Sequence, residues 1–462
     1  MPYILKKYYP LRNIIFLIGE GALIFIVFNS VNLFFVGREL YTDQIALYGA
    51  RALVVTLTFQ LCLYYFDLYD LSVIPSFSDT ATRIIQAFGF GCIALAFIYY
   101  FFPIIIISTN IFWTAYLVIC LSIALWRYCY TRILNRRMFA QPVLVLGNGV
   151  LAQNISAEIE NKKDAGYKIA AMIGEGHGSE PDFSKNIPLY QNDTRIIDII
   201  RTHNIEKVVV ALDDKRGKMP IQDLMVCKLQ GVPIITGIKF YEELTGKILV
   251  EKVNPSWIIF SDGFKQNRLS RMGKRILDLL LSLTGLVVSL PLTLVSALII
   301  KLESPGPIFY SQERVGTRGK TFKVHKFRSM RSDAEKDGPV WASQNDARVT
   351  KFGAVIRKYR IDEIPQIFNV LKGDMSFVGP RPERPVFVEQ LERNIPYYAL
   401  RHYVKPGITG WAQVFYPYGA SEEDALRKLE YDLYYIKNLS LTMDLWIIFQ
   451  TVKTVLFKKG AR

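Results

Sequence analysis

Residues 359–366 read YRIDEIPQ, and in them two adjacent carboxylates, Asp362 and Glu363, stand just ahead of a proline. Adjacent acids can serve two ends. They can cap a helix, where a carboxylate accepts from free N–H groups and suits the positive end of the dipole. They can also do chemistry, with one acid as a nucleophile and the pair as hard oxygen ligands for Mg2+. Arg348, Lys351, Arg357, Lys358 and Arg360 lie just upstream, and Lys372 and Arg381 just downstream. That is more positive charge than two exposed acids need, and it suits a substrate that carries a pyrophosphate. Together with the helix dipole, these cations are expected to hold Asp362 ionised. The next residues, IPQIFNVLKG, read as a short helix, with Pro365 in its first turn and Gly373 at its C-terminal cap.

The frame around these acids is basic and apolar. The chain has 462 residues, enough for two or three domains, with 51% hydrophobic residues and a formal charge of +15. That excess fits an anionic membrane surface or phosphorylated substrates, and no nucleic-acid-binding signature accompanies it. The five cysteines, Cys62, Cys92, Cys120, Cys129 and Cys227, form no Cys-x-x-Cys pair, and the four histidines are scattered. This excludes a disulfide frame and argues against a transition-metal cluster. The first apolar run is too long for a cleavable signal.

Four apolar runs, at roughly 14–36, 46–66, 84–107 and 109–130, are each close to the ~20 residues that a spanning helix needs. Lys6, Lys7 and Arg12 precede the first, and Arg127, Arg132, Arg136 and Arg137 cluster at the end of the fourth. Basic residues at both ends place both in the cytoplasm. Glu20 and Arg51 are the polar exceptions inside the runs. PVLVLGNGVLAQ (142–153) then reads as a strand, a Gly147-x-Gly149-x-x-Ala152 turn and a helix. EKVVVALDD (206–214) and VPIITG (232–237) read as buried parallel strands, so the middle of the chain is expected to be Rossmann-like. The acidic residue expected about 20 positions beyond the glycine turn is not evident, which leaves a structural or regulatory domain and a dinucleotide site both open.

Residues 276–300 form a fifth greasy run with one charge, Asp278, and basic flanks: Arg268, Arg271, Lys274 and Arg275 before it, Lys301 and Arg314 after it. Two basic flanks favour one side of the membrane for both. Pro291 would divide the run into arms of ~22 and ~15 Å, each too short to span. A hairpin-like re-entrant helix competes here with a fifth span. LTMDLWIIFQTVKTVLFKK (441–459) has an apolar face through Leu445, Ile448, Phe449, Val452, Val455 and Leu456, and suits an interfacial helix or a core-packed one.

Five ordered motifs carry a resemblance: the greasy run, KFRSM (326–330), IDEIPQ (361–366), GDMSFVGPRP (373–382) and KPGITGWAQV (405–414). From about residue 268 to 462 the chain resembles the bacterial sugar transferases, the monotopic phosphoglycosyl transferases. Its layout resembles their long forms in exopolysaccharide assembly. The resemblance implies transfer of a hexose 1-phosphate from a UDP-sugar to undecaprenyl phosphate with release of UMP, at the cytoplasmic face of a bacterial inner membrane. It implies Asp362 as nucleophile through a covalent phosphosugar, with Glu363 for Mg2+ or proton handling, so that both acids are candidate metal ligands. Arg357 and Arg381, with Lys326 and Arg328, would hold phosphates or nucleotide, and Lys274 and Arg275 would meet lipid headgroups. Several family members have Ser-Pro at the helix break; here Leu290 separates Ser289 from Pro291.

The expected fold is therefore a membrane protein of α plus α/β class. It would comprise a four-helix transmembrane bundle (1–138), a Rossmann-like middle (139–262) and an α/β-type catalytic domain (268–462) with a re-entrant helix at 274–301. A homodimer is the expected assembly. N-acetylated UDP-sugars are the alternative donors. Two other classes compete: a membrane-bound nucleotide-sugar dehydratase or epimerase, whose Tyr-x-x-x-Lys pair is missing from the C-terminal half, and a non-enzymatic scaffold, in which Asp362 would be dispensable.

Overall fold

The coordinates are a computed structural model. It describes residues 3–4, 7–8, 11–70, 77–135, 140–162, 166–174, 187–191, 194–212, 219–253, 255–264, 267–331, 334, 348–417, 419 and 421–456. Lys6, Arg136, Arg137, Asp213 and Asp214 lie outside these, as do the side chains of Arg12 and Leu456. The chain forms two compact units, Met1–Phe240 and Tyr241–Arg462.

In the first unit the four apolar runs are helices: Leu11–Val36, Ile45–Tyr65, Phe77–Phe101 and Thr109–Asn135. The third starts and ends earlier than its apolar run, because Pro103 stops the helix and opens the short 3-10 turn Pro103–Ile105. Ile24, Phe28, Phe59, Leu63, Phe88 and Ile119 share one buried core, while residues such as Phe34, Ile85, Phe97 and Leu121 point outward. Apolar on both the inner and the outer side is the pattern of helices whose solvent is lipid. Glu20 and Arg127 are both buried and face each other: Arg127 Nε lies 2.9 Å from Oε1, and Nη2 donates to Oε2 at 2.9 Å. Arg127 Nη1 also donates to the Leu68 carbonyl at 2.5 Å.

A five-stranded parallel sheet follows, in the order Leu189–Tyr190, Tyr167–Ile173, Gln141–Leu146, Lys207–Val210, Ile234–Thr236. The first strand in sequence is central and the order runs outward on both sides of it, which is the doubly wound arrangement. Gly147 ends that strand at φ +118, where an added Cβ would strike the Ala211 carbonyl, so only glycine fits the turn.

The second unit begins at Tyr241, ahead of the boundary expected at 262. Hydrogen bonds explain the difference. Ile248 N–H donates to the Glu430 carbonyl at 3.0 Å, Trp411 Nε1 to the Gly246 carbonyl at 2.8 Å, and Lys437 Nζ to Glu242 Oε2 at 2.6 Å. The α/β character expected of this unit is slight. Among the described residues it has two two-stranded ladders, Phe309–Val315 with Thr321–Phe327 (antiparallel) and Ser376–Val378 with Gly407–Thr409 (parallel), amid many helices.

Arg268–Glu303 is one 36-residue helix with Pro291 inside it. The backbone stays helical there, so no hairpin-like break interrupts it. Ser289 Oγ has no hydrogen-bond partner among the described residues, so it does not satisfy a carbonyl freed by the proline. Both ends of the helix are fastened within this unit. Near its start, Lys274 Nζ donates to the Val378 carbonyl at 3.0 Å and to Asp444 Oδ2 at 2.8 Å. Arg275 donates to the Val370 and Leu371 carbonyls at 2.7 Å each, and Asp278 Oδ1 accepts from Phe377 N–H and Ser376 Oγ at 2.9 Å each. At its end, Ile300 packs with Phe327 and Ile356, and Glu303 Oε1 accepts from Phe352 N–H at 2.9 Å. With the four N-terminal helices, this makes five helices among the described residues that are long and apolar enough to cross a membrane.

Candidate active site

Three elements bring the acids and their cations together. Thr321–Phe327 carries Lys326. Lys351–Lys358 carries Arg357, and its start is set by Thr350 Oγ1, which accepts from Gly353 N–H at 2.9 Å. The tight turn Ile361–Glu363 carries both acids and is entered through Arg360 in the left-handed region at φ 56. Gln366–Lys372 follows and ends at Gly373 with φ 97, the cap read from the sequence. Asn369 ties that helix to the strand: its Nδ2 donates to the Lys323 carbonyl at 2.7 Å and its Oδ1 accepts from His325 N–H at 3.1 Å.

Both acids are buried, but they are used differently. Glu363 is held by three cations: Arg381 Nη2 at 2.7 Å and Lys326 Nζ at 3.4 Å from Oε1, and Arg360 Nη1 at 3.6 Å from Oε2. Asp362 makes no side-chain hydrogen bond among the described residues and lines a cavity of about 470 Å3. Among the described residues that line this cavity, Lys and Arg outnumber Asp and Glu by eleven to three. A wall so unbalanced calls for an anionic ligand.

Burial pushes the Asp362 carboxyl up to about 6, and the Glu363 charge adds to this, against Lys326, Arg357 and Arg381. The cations therefore do not dominate at Asp362 as the sequence suggested, because desolvation outweighs them. The group is still ionised roughly ten to one at pH 7. Burial would raise Glu363 too, but Arg381, Lys326 and Arg360 together hold it well below the usual carboxylate range. Burial likewise lowers Lys326, with Glu363 offsetting it.

Arg348, Arg357, Arg360, Arg381, Lys326 and Arg328 all line the cavity, whereas Lys351, Lys358 and Lys372 do not. The Arg357 guanidinium makes no hydrogen bond among the described residues and lines the cavity. Arg328 is otherwise engaged: its guanidinium donates to the carbonyls of Ile300, Ser304 and Pro305, closing the end of the long helix. Lys274 and Arg275 likewise donate to protein acceptors. Among the described residues no cluster of three or more His, Cys, Asp or Glu stands ready for a metal. Sequence reasoning missed Asn369, Arg314, Arg401 and Asp432. The one available signal was a charged or amide group set among apolar neighbours, as in IFNVL and EYDLYY.

Fold and site together define a protein with helices long and apolar enough to cross a membrane and with a buried carboxylate that faces a cation-lined cavity. The bacterial sugar transferase family matches residues 269–458, and a CoA-binding domain family matches residues 64–226. The UDP-N-acetylgalactosamine-undecaprenyl-phosphate N-acetylgalactosaminephosphotransferase of Aeromonas hydrophila is 44% identical over 250 residues, 54% of this chain and 58% of that protein. The UDP-glucose:undecaprenyl-phosphate glucose-1-phosphate transferase of Escherichia coli is 33% identical over 336 residues, 71% of this chain and 69% of that protein. An exopolysaccharide production protein of Rhizobium leguminosarum is 43% identical over 188 residues, 39% of this chain and 92% of that protein. The chain belongs to the bacterial sugar transferase family.

Proposed function

We propose that this chain transfers a sugar 1-phosphate from a UDP-sugar to undecaprenyl phosphate, releasing UMP, as a membrane step of exopolysaccharide or glycan assembly. One observation carries the reading. Of two adjacent buried acids, Glu363 is held by three cations, while the Asp362 side chain, without a hydrogen bond among the described residues, opens onto a cation-lined cavity. The relatives' names support the substrate classes and divide between glucose and N-acetylgalactosamine.

In the first step an Asp362 carboxylate oxygen attacks the phosphorus that bears the sugar. The bond from that phosphorus to the UMP oxygen breaks and UMP leaves. In the second step a lipid phosphate oxygen attacks the same phosphorus and the aspartyl bond breaks, restoring the carboxylate. Both nucleophiles are anions, so neither step requires a proton to be removed. Glu363 then acts by holding Arg381 and Lys326 in place, in preference to the proton handling expected of it. Arg357 and Arg381 stabilise charge on the equatorial and leaving oxygens. A Mg2+ ion fits the cavity-facing Asp362 carboxylate together with diphosphate oxygens, since Mg2+ is commonly held by one or two carboxylates plus phosphate. Glu363 fits as a ligand only by giving up its cations. When bound, the ion supplies charge neutralisation on the diphosphate.

The membrane arrangement belongs to the same proposal. The four N-terminal helices span as a bundle in the inner membrane, and the catalytic unit lies on the cytoplasmic face. The long helix is re-entrant and bends at Pro291 without losing helicity. The support is that its two ends are both fastened to one folded unit, which favours one side for both. In Leu441–Leu456 the stripe Met443, Asp444, Ile447 and Gln450 is buried while Leu445 and Val452 are exposed, which favours an interfacial helix.

UMP release from a panel of UDP-glucose, UDP-galactose, UDP-N-acetylglucosamine and UDP-N-acetylgalactosamine tests the function and names the sugar. No release from any of them, with undecaprenyl phosphate present, would sink the reading. Topology reporters at residue 262 and at the C-terminus test the re-entrant helix; opposite sides would restore a fifth span.

A further inference from the structure

Arg381 reaches Glu363 from the segment 379–383, GPRPE, which is neither helix nor strand. Pro380 and Pro382 have no N–H, so the segment is poor in donors of its own. It is held by its acceptors. The Pro380 carbonyl accepts from Gly407 N–H at 2.9 Å, and the Arg381 carbonyl from Arg401 Nη2 at 3.0 Å. The Pro382 carbonyl accepts from Arg314 Nη1 at 3.1 Å, and the Glu383 carbonyl from Val315 N–H at 2.9 Å. Four successive carbonyls are thus fixed, the two central ones by arginine side chains.

Arg401 is itself 6% exposed, and its partner Asp432 is 1% exposed. The same Nη2 that holds the Arg381 carbonyl donates to Asp432 Oδ2 at 2.8 Å, and Nη1 donates to the Tyr398 hydroxyl. Burying a guanidinium and a carboxylate this deeply is costly even when they are paired. A hydrophobic pair would fill the same space, but it could not grip a backbone carbonyl beside the acids. The connection then runs from Asp432 to Arg401, from Arg401 to the Arg381 backbone, and from Arg381 Nη2 to Glu363 Oε1 at 2.7 Å.

We propose that the Asp432–Arg401 pair, with Arg314 beside it, is a positioning device for the transfer reaction: it fixes the Arg381 backbone so that the Arg381 guanidinium stays on Glu363. This rests on the function proposed above. Arg401 also lines the cavity, but the role assigned to it here runs through the Arg381 backbone. Such preorganisation matters because a site loosened by a fraction of an ångström loses much of its electrostatic advantage.

The test is a double-mutant cycle on the full chain in nanodiscs, reading kcat and KM for UMP release. Arg401→Lys keeps the charge but loses the planar fork that reaches both Asp432 and the carbonyl. It is expected to lower kcat by about 10-fold with KM within about 3-fold. In an Arg381→Ala background the same change is expected to cost less than about 2-fold, because its route is already cut. Asp432→Asn, run through the same cycle as a second variant, is expected to show the same loss of effect. Equal factors in the two backgrounds, or a raised KM with kcat kept, would overturn the proposal. These results are distinct from failure of the parent reading, in which the wild-type chain itself releases no UMP.

Discussion

Two buried charge sites in this chain invite comparison. Among the N-terminal helices, Glu20 meets Arg127 one to one, both carboxylate oxygens lie 2.9 Å from guanidinium nitrogens, and a spare donor goes to the Leu68 carbonyl. In the C-terminal unit two acids meet a wall of cations, and after Glu363 has taken three of them Asp362 still faces open volume. The first site is closed and its charges cancel locally. The second has surplus positive charge and a carboxylate without a hydrogen bond among the described residues. Closure is what a structural pair needs, whereas a carboxylate that faces a cavity with surplus positive charge is the arrangement that phosphoryl chemistry needs. Glu20, the polar exception in its apolar run, therefore reads as structural.

The sharpest break of that comparison is Asp362→Asn, which should cost at least ~10³-fold in UMP release while leaving the thermal transition nearly unchanged. Arg381→Ala should come next, at roughly 10–100-fold in kcat, since it frees Glu363 and thins the charge over the cavity. The pH response is milder. Below about pH 6, kcat/KM should fall about tenfold per unit as Asp362 takes up a proton, and it should level off above. Stability should not follow. Asp362, raised in the fold, contributes stability that is full below its unfolded pKa and is lost as pH rises through about 6. Glu363, depressed in the fold, contributes stability present above its unfolded pKa and lost as pH falls. These opposed signs predict a chain that at pH 5 is folded by circular dichroism and about tenfold less active than at pH 7.

Glu20→Ala should show the reverse profile. Leaving Arg127 buried and unpaired should cost about 3–5 kcal/mol of stability. The kcat per folded molecule should stay within about 3-fold, as read by an active-site titration. Ser289→Ala should do least, with activity and melting temperature both unchanged, because its hydroxyl has no partner among the described residues.

What the sequence disclosed follows from the range of the signals. The spanning helices, the glycine turn at Gly147 and the cap at Gly373 are local patterns, and each stands close to where its residues place it. The acids were legible because they are adjacent and ringed by basic residues. Three basic residues have contacts in the fold that the string does not show. Arg328, Lys274 and Arg275 look like phosphate or headgroup ligands in a linear string, yet in the fold they close carbonyls at helix ends and turns. A string shows that a cation is available, but not which acceptor lies nearest to it. Arg401 and Asp432 are 31 residues apart, and Arg401 meets Arg381 across 20, so no periodicity links them. The raised Asp362 pKa was also hidden, since burial outweighs cations only once the cavity exists.

The central claim is that Asp362, and not a water or Glu363, forms the bond to phosphorus. Incubating the purified chain with UDP-sugar and no lipid acceptor, then measuring the intact mass and sequencing the acid-stabilised peptides, tests it most directly. The predicted result is one sugar-phosphate per chain, attached at Asp362, formed with one equivalent of UMP and discharged on adding undecaprenyl phosphate. UMP release that appears only when the lipid phosphate is present, with no adduct at any stage, would contradict it.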